Sequence, residues 1–221
     1  MTPMRDAQGL IAVWLHVPPE HEDEFNDWYG LEHLAHVTSL PGFTSARRYA
    51  AIDSQPKYLA WYETEDERVE PGPAFQHLVQ HPTGWSRRIR TFYGDNRLRH
   101  NYRLAWSQGV EPAPDAPLLY TVQTDCADPG RAAAFWDWYE REHLPALAAV
   151  PGVLRTRRYE AVTGTPRSLA AYELSASDVF ESPAWLDARE RSGIRTMQSL
   201  FANVHRTWYR LIRGTLRHDE C

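Results

Sequence analysis

One segment of this chain occurs twice. Phe25–Glu63 and Phe135–Glu173, compared at a fixed shift of 110 positions, share 18 identities in 39 positions without a gap. The identities include Phe25/Phe135, Asp27/Asp137, Trp28/Trp138, Tyr29/Tyr139, Glu32/Glu142, His33/His143, Pro41/Pro151, Gly42/Gly152 and the Arg-Arg-Tyr run at Arg47–Tyr49 and Arg157–Tyr159. Chance does not supply such a match. A duplication of this length means that each copy is one supersecondary unit, and that the fold is built from two of them.

Each copy reads in the same order. An apolar strand, "LIAVWLHV" or "PLLYTVQT", precedes a helix through the aromatic segment. The helix stops at a Pro-Gly pair, because proline restricts the residue before it and glycine tolerates the turn. The runs "FTSARRYAAI" and "VLRTRRYEAV" then predict a second strand, and "YLAWYE" and "SLAAYEL" a third. A further helix is expected near Ala74–Arg90 and near Pro183–Asn203, followed by a closing strand in "LRHNYRLAW" or "VHRTWYRLI". The order β-α-β-β-α-β is that of a ferredoxin-like unit. The units are expected at residues 8–106 and 118–214, joined by a polar, proline-rich linker at 107–117. Helices cover one face of each sheet, so the free faces pack together most economically within one chain. The expected fold is α+β, two ferredoxin-like units forming an intramolecular α/β barrel, with further homo-oligomerisation open.

The motifs "DWYGLEHLAHVTSLPGFTSARRY" and "DWYEREHLPALAAVPGVLRTRRY", each followed by its third strand, resemble the dimeric α/β-barrel superfamily, and the EthD-like group within it. The resemblance covers nearly both repeats. It implies that one chain carries the two halves usually supplied by two chains. It also implies a range of chemistries: cofactor-independent isomerases, polyketide cyclases, monooxygenases and haem-dependent members.

Composition narrows the classes further. The chain has 221 residues, 43% of them hydrophobic, and a net charge of −5, so no broad basic field invites nucleic acid. No stretch approaches the roughly 20 apolar residues of a membrane span, and the first residues lack a signal-peptide pattern, so a cytoplasmic protein is expected. Cys126 and Cys221 are the only cysteines, which argues against a disulfide framework. Neither a phosphate-binding glycine loop nor a serine nucleophile elbow is present.

The candidate chemistry lies in the repeat. Tyr29 and His33, like Tyr139 and His143, are four apart and share a helix face, where a phenol and an imidazole can position and transfer a proton. These four are the candidate catalytic residues, although retention in both copies is also what a structural network would produce. Alternation along the second strand puts Arg47 and Tyr49 on one face with Phe43, and Arg48 on the other, with Arg157 and Arg158 divided likewise. One arginine per copy is expected to face the enclosed interior and hold an oxyanion, with Trp14 among the substrate-binding residues. Glu32 and Glu142 are expected to pair with arginines of the Arg-Arg-Tyr strand, and Glu63 and Glu173 to be structural carboxylates. Trp28 and Trp138 read as core.

His33/His36 and His77/His81 have the spacing of paired metal ligands, but no carboxylate or cysteine set accompanies them, so no metal is predicted. His100, Tyr102 and His205 are the candidate haem ligands on the closing strands, with none singled out. The leading expectation is a cofactor-independent isomerase, cyclase or lyase using acid/base chemistry on an aromatic, polyketide-like or lactone-type substrate. The alternatives are a non-catalytic binder of a hydrophobic metabolite and a haem-dependent enzyme or monooxygenase. Its larger set of titratable groups favours the first copy as the productive one.

Overall fold

The computed structural model describes residues 7–69, 72–109 and 116–217. Eight strands follow the order β1-β3-β2-β8-β5-β7-β6-β4 and close into a barrel, with paired helices beside each four-strand set. This is the architecture expected of two ferredoxin-like units in one chain.

In the first unit, β1 (Gly9–Leu15) pairs antiparallel with β3 (Tyr58–Thr64) on one side and with β4 (Arg97–Gly109) on the other. Strand β2 (Phe43–Ala51) lies against β3. In the second, β5 (Leu118–Cys126) pairs with β7 (Ser168–Leu174) and β8 (Phe201–Arg217), and β6 (Val153–Ala161) lies against β7. The last strand of each copy is longer than its sequence announces. The second compact unit is Leu104–Arg210, while the first runs up to Arg103 and resumes at Leu211, so both divisions fall inside β4 and β8. Ser107–Gly109, expected in the linker, continue β4, and residues 110–115 of that linker lie outside the described residues.

The repeated aromatic helix is a composite in both copies. Helix α1 (Glu22–Trp28) and α2 (Leu34–Thr38) are joined by a π turn over Tyr29–His33, in which the Leu34 N–H reaches back five residues to the Tyr29 carbonyl. The second copy repeats this with α5 (Ala132–Trp138), a π turn over Tyr139–His143 and α6 (Leu144–Ala148). Pro145 follows the second turn and has no N–H to give a regular helix, but Ala35 stands there in the first copy. The widened turn therefore does not depend on the proline. Single π turns inside helices recur at functional sites, because they re-aim the side chains they carry. The Pro-Gly stops behave as predicted, with Gly42 at φ 85° and Gly152 at φ 92°, where a side chain would be strained.

The second helical segment of each copy is broken, where the sequence suggested one helix. α3 (Pro73–Gln80) and α4 (Gly84–Tyr93) are separated around Pro82, and Thr83 caps α4 by accepting the Ser86 N–H at 3.0 Å. α7 (Pro183–Arg191) is capped by Ser182, and Gly193 in the left-handed region separates it from α8 (Ile194–Met197). Each core lies between sheet and helices. Phe25 and Phe135, both fully buried, anchor the two helices, and burial of such a side chain contributes about 1.5–3 kcal/mol.

Candidate active sites

A cavity lies between sheet and helices in each unit. The first, of about 280 Å³, takes Ile11, Val13 and Leu15 from β1, Tyr62 from β3, Tyr29 and His33 from the π turn, and Arg90, Arg97 and Arg99. The second, of about 380 Å³, takes Tyr120 and Val122 from β5, Tyr172 from β7, Tyr139 and His143 from the π turn, Phe180, Trp185 and Ile194 beside α7 and α8, and Arg189, Arg206 and Trp208. Among the described residues, no carboxylate lines either cavity. A pocket with arginines and no acid selects a neutral or anionic ligand.

The i,i+4 pairs meet as their spacing predicts. Ring centroids of Tyr29 and His33, and of Tyr139 and His143, are 5.1 Å apart in both units. Each histidine also stacks on the tryptophan five residues before it, His33 on Trp28 at 4.1 Å and His143 on Trp138 at 5.0 Å. A fourth ring completes each cluster, Tyr62 or Tyr172 from the central strand. Tyr62 and Tyr172 lie in the repeat, so the sequence held the signal, but a strand pattern alone does not tell which ring meets the histidine.

Burial sets the ionisation of these groups. It pushes His33 down to about 3, aided by the positive charge of His36, Arg48 and Arg90. It pushes His143 down to about 4, aided by Arg189. Both imidazoles are therefore neutral at physiological pH. Burial also raises the Tyr29 and Tyr139 phenols to about 12 and lifts Tyr62 and Tyr172 well above their ordinary value, so all four remain protonated donors. The hydroxyls of Tyr29 and Tyr62 are close enough to influence each other's ionisation, yet Tyr62 makes no well-directed hydrogen bond.

The units differ in how the histidine is held. In the second, Ser192 Oγ donates its one proton to the Arg189 carbonyl at 2.6 Å, and the same oxygen lies 2.9 Å from His143 Nδ1. With its proton committed, Ser192 can only accept, so Nδ1 carries the hydrogen and Nε2 is the free acceptor. The Trp138 Nε1–H donates to the Ser192 carbonyl at 2.6 Å and ties the stacked indole to the same residue. In the first unit, Trp28 Nε1 donates instead to Glu32 at 3.2 Å and Ser86 at 3.1 Å, and His33 has no side-chain hydrogen bond among the described residues. Ser192 lies beyond the repeated segment, at the end of a helix, and nothing in the sequence marked it.

The other candidates take different places. Arg48 and Arg158 face the helices but support the aromatic helix and line neither cavity. The Arg48 guanidinium sits 3.9 Å from the Tyr29 ring centre and donates to Asn26 at 3.0 Å. Arg158 lies 4.3 Å from the Trp136 ring centre, donates to Ser168 at 3.1 Å and pairs with Glu140. Arg47 and Arg157 are on the opposite sheet face, where Arg157 and Glu173 form a buried ion pair at 2.5 Å. Trp14 also lies on that face, edge-on to His100 at 5.9 Å, and His100 contacts Tyr102 there. None of Trp14, His100 and Tyr102 lines either cavity.

Two sequence expectations are corrected. Phe43 faces the helices with Tyr62 and Phe75, on Arg48's side, because a bulge between Phe43 and Ser45 breaks the alternation. Glu32 pairs with no arginine of its strand: it accepts from Thr83 at 2.6 Å and Ser86 at 3.1 Å, binding the π turn to the start of α4. Glu142 is exposed, and the arginine of that strand turns to Glu140, where the first copy has Gly30. The rings of His77 and His81 lie 4.4 Å apart and tilted, but no group of three metal-ligating side chains occurs among the described residues. No described helix is long and apolar enough to cross a membrane.

No protein-family model and no curated protein matches the sequence. Solved structures do match in fold. An anthrone oxidase-like protein superposes with a TM-score of 0.66 at 13% identity, covering 100% of this chain and 97% of that one. A candidate monooxygenase from Fusobacterium nucleatum gives 0.65 at 10% identity, with 94% of each chain covered. Another, from Lactobacillus acidophilus, gives 0.63 at 9% identity, covering 96% and 97%. At these identities the likeness establishes a shared ferredoxin-like barrel fold and no more.

Proposed function

We propose that this protein is a cofactor-independent enzyme that oxygenates a planar phenolic substrate of the anthrone type in the cavity of its second unit. The observation that carries this reading is the chain from the Arg189 carbonyl through Ser192 to His143, which leaves Nε2 as a proton acceptor of fixed direction. Aromatic walls, two arginines and the absence of a lining carboxylate among the described residues support a flat substrate that becomes anionic. The EthD-like resemblance and the oxygenase names borne by proteins of the same fold support the reaction class.

The residues divide the work as follows. Tyr120 and Trp208, with ring centroids 4.7 Å apart, form one aromatic wall against which a flat ring system lies. His143 Nε2 takes a proton from the acidic carbon between the rings. The negative charge that develops spreads to the substrate oxygen, where Arg206 and the protonated phenols of Tyr139 and Tyr172 stabilise it. A weakly basic imidazole serves here because the anion forming beside it holds its proton. The carbanion passes one electron to dioxygen, and the two radicals join as a peroxide, which takes back the proton. Loss of water then leaves a ketone, so R₂CH₂ and O₂ become R₂C=O and H₂O.

A haem fits these residues poorly. His143 is stacked on Trp138 and held at Nδ1, and a cavity of about 380 Å³ suits a few fused rings better than a macrocycle. The same proton abstraction also serves an isomerase, cyclase or lyase, which would consume no oxygen.

Anthrone in air-saturated buffer is the probe, with oxygen uptake and anthraquinone formation measured above the spontaneous rate. Protein-dependent uptake is expected, falling by about 10²-fold or more in His143→Gln, the loss expected for a positioned base. Ser192→Ala should lower kcat roughly five- to tenfold at unchanged KM, the worth of one neutral hydrogen bond, with Ser192→Thr restoring it. Uptake indifferent to His143→Gln, or a strong haem band in the purified protein, overturns the reading.

A further inference from the structure

The register of the sheets shows that the first cavity is not a second copy of the aromatic one. Tyr62 pairs with Ile11, which pairs in turn with Asn101. In the other unit, Tyr172 pairs with Tyr120, which pairs with Trp208. The two rings that flank the second cavity are thus replaced by an isoleucine and an asparagine. One step along, Val13 faces Arg99 as Val122 faces Arg206, so a cation is kept while the sheet-side pair of rings is lost. The remaining aromatic lining comes from Trp28, Tyr29, Tyr62, Phe75 and Tyr93. A further arginine, Arg97, pairs with Leu15.

The result is an aliphatic row along β1 with cations beside it. Ile11, Val13 and Leu15 form the sheet side, and Leu78 and Val79 of α3 also line the cavity. Neighbouring strands lie about 4.8 Å apart, so Arg97 and Arg99 run directly alongside that row. Arg90 adds a third guanidinium, oriented by donating to the Val79 carbonyl at 3.2 and 3.3 Å. Among the described residues, no acidic side chain lines the cavity.

We infer that the first unit's cavity is a separate binding site for an aliphatic carboxylate, with the chain lying on the β1 row and the carboxylate held by Arg97 beside Arg99. Alkyl chain against aliphatic side chains supplies affinity at about 0.8 kcal/mol per buried methylene. A guanidinium paired with carboxylate supplies direction and charge selection. The site stands in a different unit from the proposed oxygenation, so either reading can fail without the other.

Isothermal titration of the intact protein with sodium octanoate, below its micellar concentration, tests the inference. Saturable one-site binding is expected, weakened about ten- to a hundredfold in Arg97→Gln, the worth of a hydrogen bond to a charged group. It should weaken as ionic strength rises and be at least about tenfold poorer for octanol. Leu78→Trp, which fills the cavity, should abolish it; Arg97 is exposed, so its variant keeps the test valid if the tryptophan variant does not fold. Absence of binding at millimolar octanoate, equal binding of octanol, or weakening by Arg206→Gln in place of Arg97→Gln each overturns the inference.

Discussion

The two cavities stand on two copies of the same helical motif and differ in what surrounds it. Both have the π turn, the Tyr-His pair 5.1 Å apart, the stacked tryptophan and the strand tyrosine. Only the second locks its histidine through Ser192, and only the second has aromatic rings from β5 and β8 where the first has Ile11 and Asn101. The duplicated motif is therefore a device for placing an imidazole at the bottom of a sheet–helix cavity. What the imidazole then does is decided by residues outside the motif. A Tyr-His pair alone does not make a site, and its presence in both copies does not make two equivalent ones.

The largest expected difference is kinetic. With anthrone as substrate, His143→Gln should reduce turnover by about 10²- to 10⁴-fold, the range for loss of a positioned acid or base. His33→Gln should cost at least roughly tenfold less, because its ring has no partner fixing the acceptor nitrogen. Both variants should keep the parent circular dichroism spectrum. Equal losses in the two would break the comparison and restore two matched sites.

Next comes the pH dependence of stability. His143 is 5% exposed, and its folded value of about 4 lies below the ordinary 6.5. The unfolded chain thus binds the proton more readily. The stabilisation is present in full above the unfolded value and is lost as pH falls from about 6.5 towards 4. At roughly 1.4 kcal/mol per unit of displacement, the loss is on the order of 2–3 kcal/mol. Urea unfolding at stepped pH should show this loss in the parent and a shallower one in His143→Gln. Curves of identical slope would mean that His143 is not buried in its neutral form.

Much of the fold was legible because it rests on local rules repeated twice. The Pro-Gly stops, the strand alternation and the β-α-β-β-α-β order each follow from backbone preferences acting over a few residues. The Tyr-His pairing was legible for the same reason, since i,i+4 positions meet on a helix. The bulge after Phe43 was not, because one extra residue in a strand leaves no compositional mark while turning every later side chain over. The partners that distinguish the cavities were hidden more deeply. Ser192 meets His143 across 49 positions and Trp208 meets Tyr120 across 88, so only the assembled sheet and helices bring them together. The Glu32 expectation failed for a similar reason, as its partners Thr83 and Ser86 come from the cap and first turn of α4 and not from the neighbouring strand.

A smaller effect is expected where the indoles find their acceptors. Trp138 Nε1 donates to a buried backbone carbonyl, that of Ser192, whereas Trp28 donates to the half-buried side chains Glu32 and Ser86. Phenylalanine at position 138 would leave the carbonyl without that donor, which costs about 1–2 kcal/mol. Trp28→Phe should cost less, because Glu32 keeps Thr83 and Ser86. Chemical denaturation of the two variants measures the difference, and a larger loss in Trp28→Phe would reverse the order of rigidity assigned to the two π turns.

The smallest effect separates charge from packing beneath the π turns. Arg158 pairs with Glu140 on the turn, whereas the first copy has Gly30 at the matching position and Arg48 rests on the Tyr29 ring. The Glu140 side chain is 30% exposed and water screens the pair, so Glu140→Gln should lower stability by about 1 kcal/mol or less. The residual contact of Arg158 with Trp136 and its bond to Ser168 remain in that variant. Half-molar salt should shrink the difference between parent and Glu140→Gln, as screening requires of an exposed pair. A loss of several kcal/mol that ignores salt would instead mean that the pair is sealed from water, and that the second turn is held by charge where the first is held by an aromatic face.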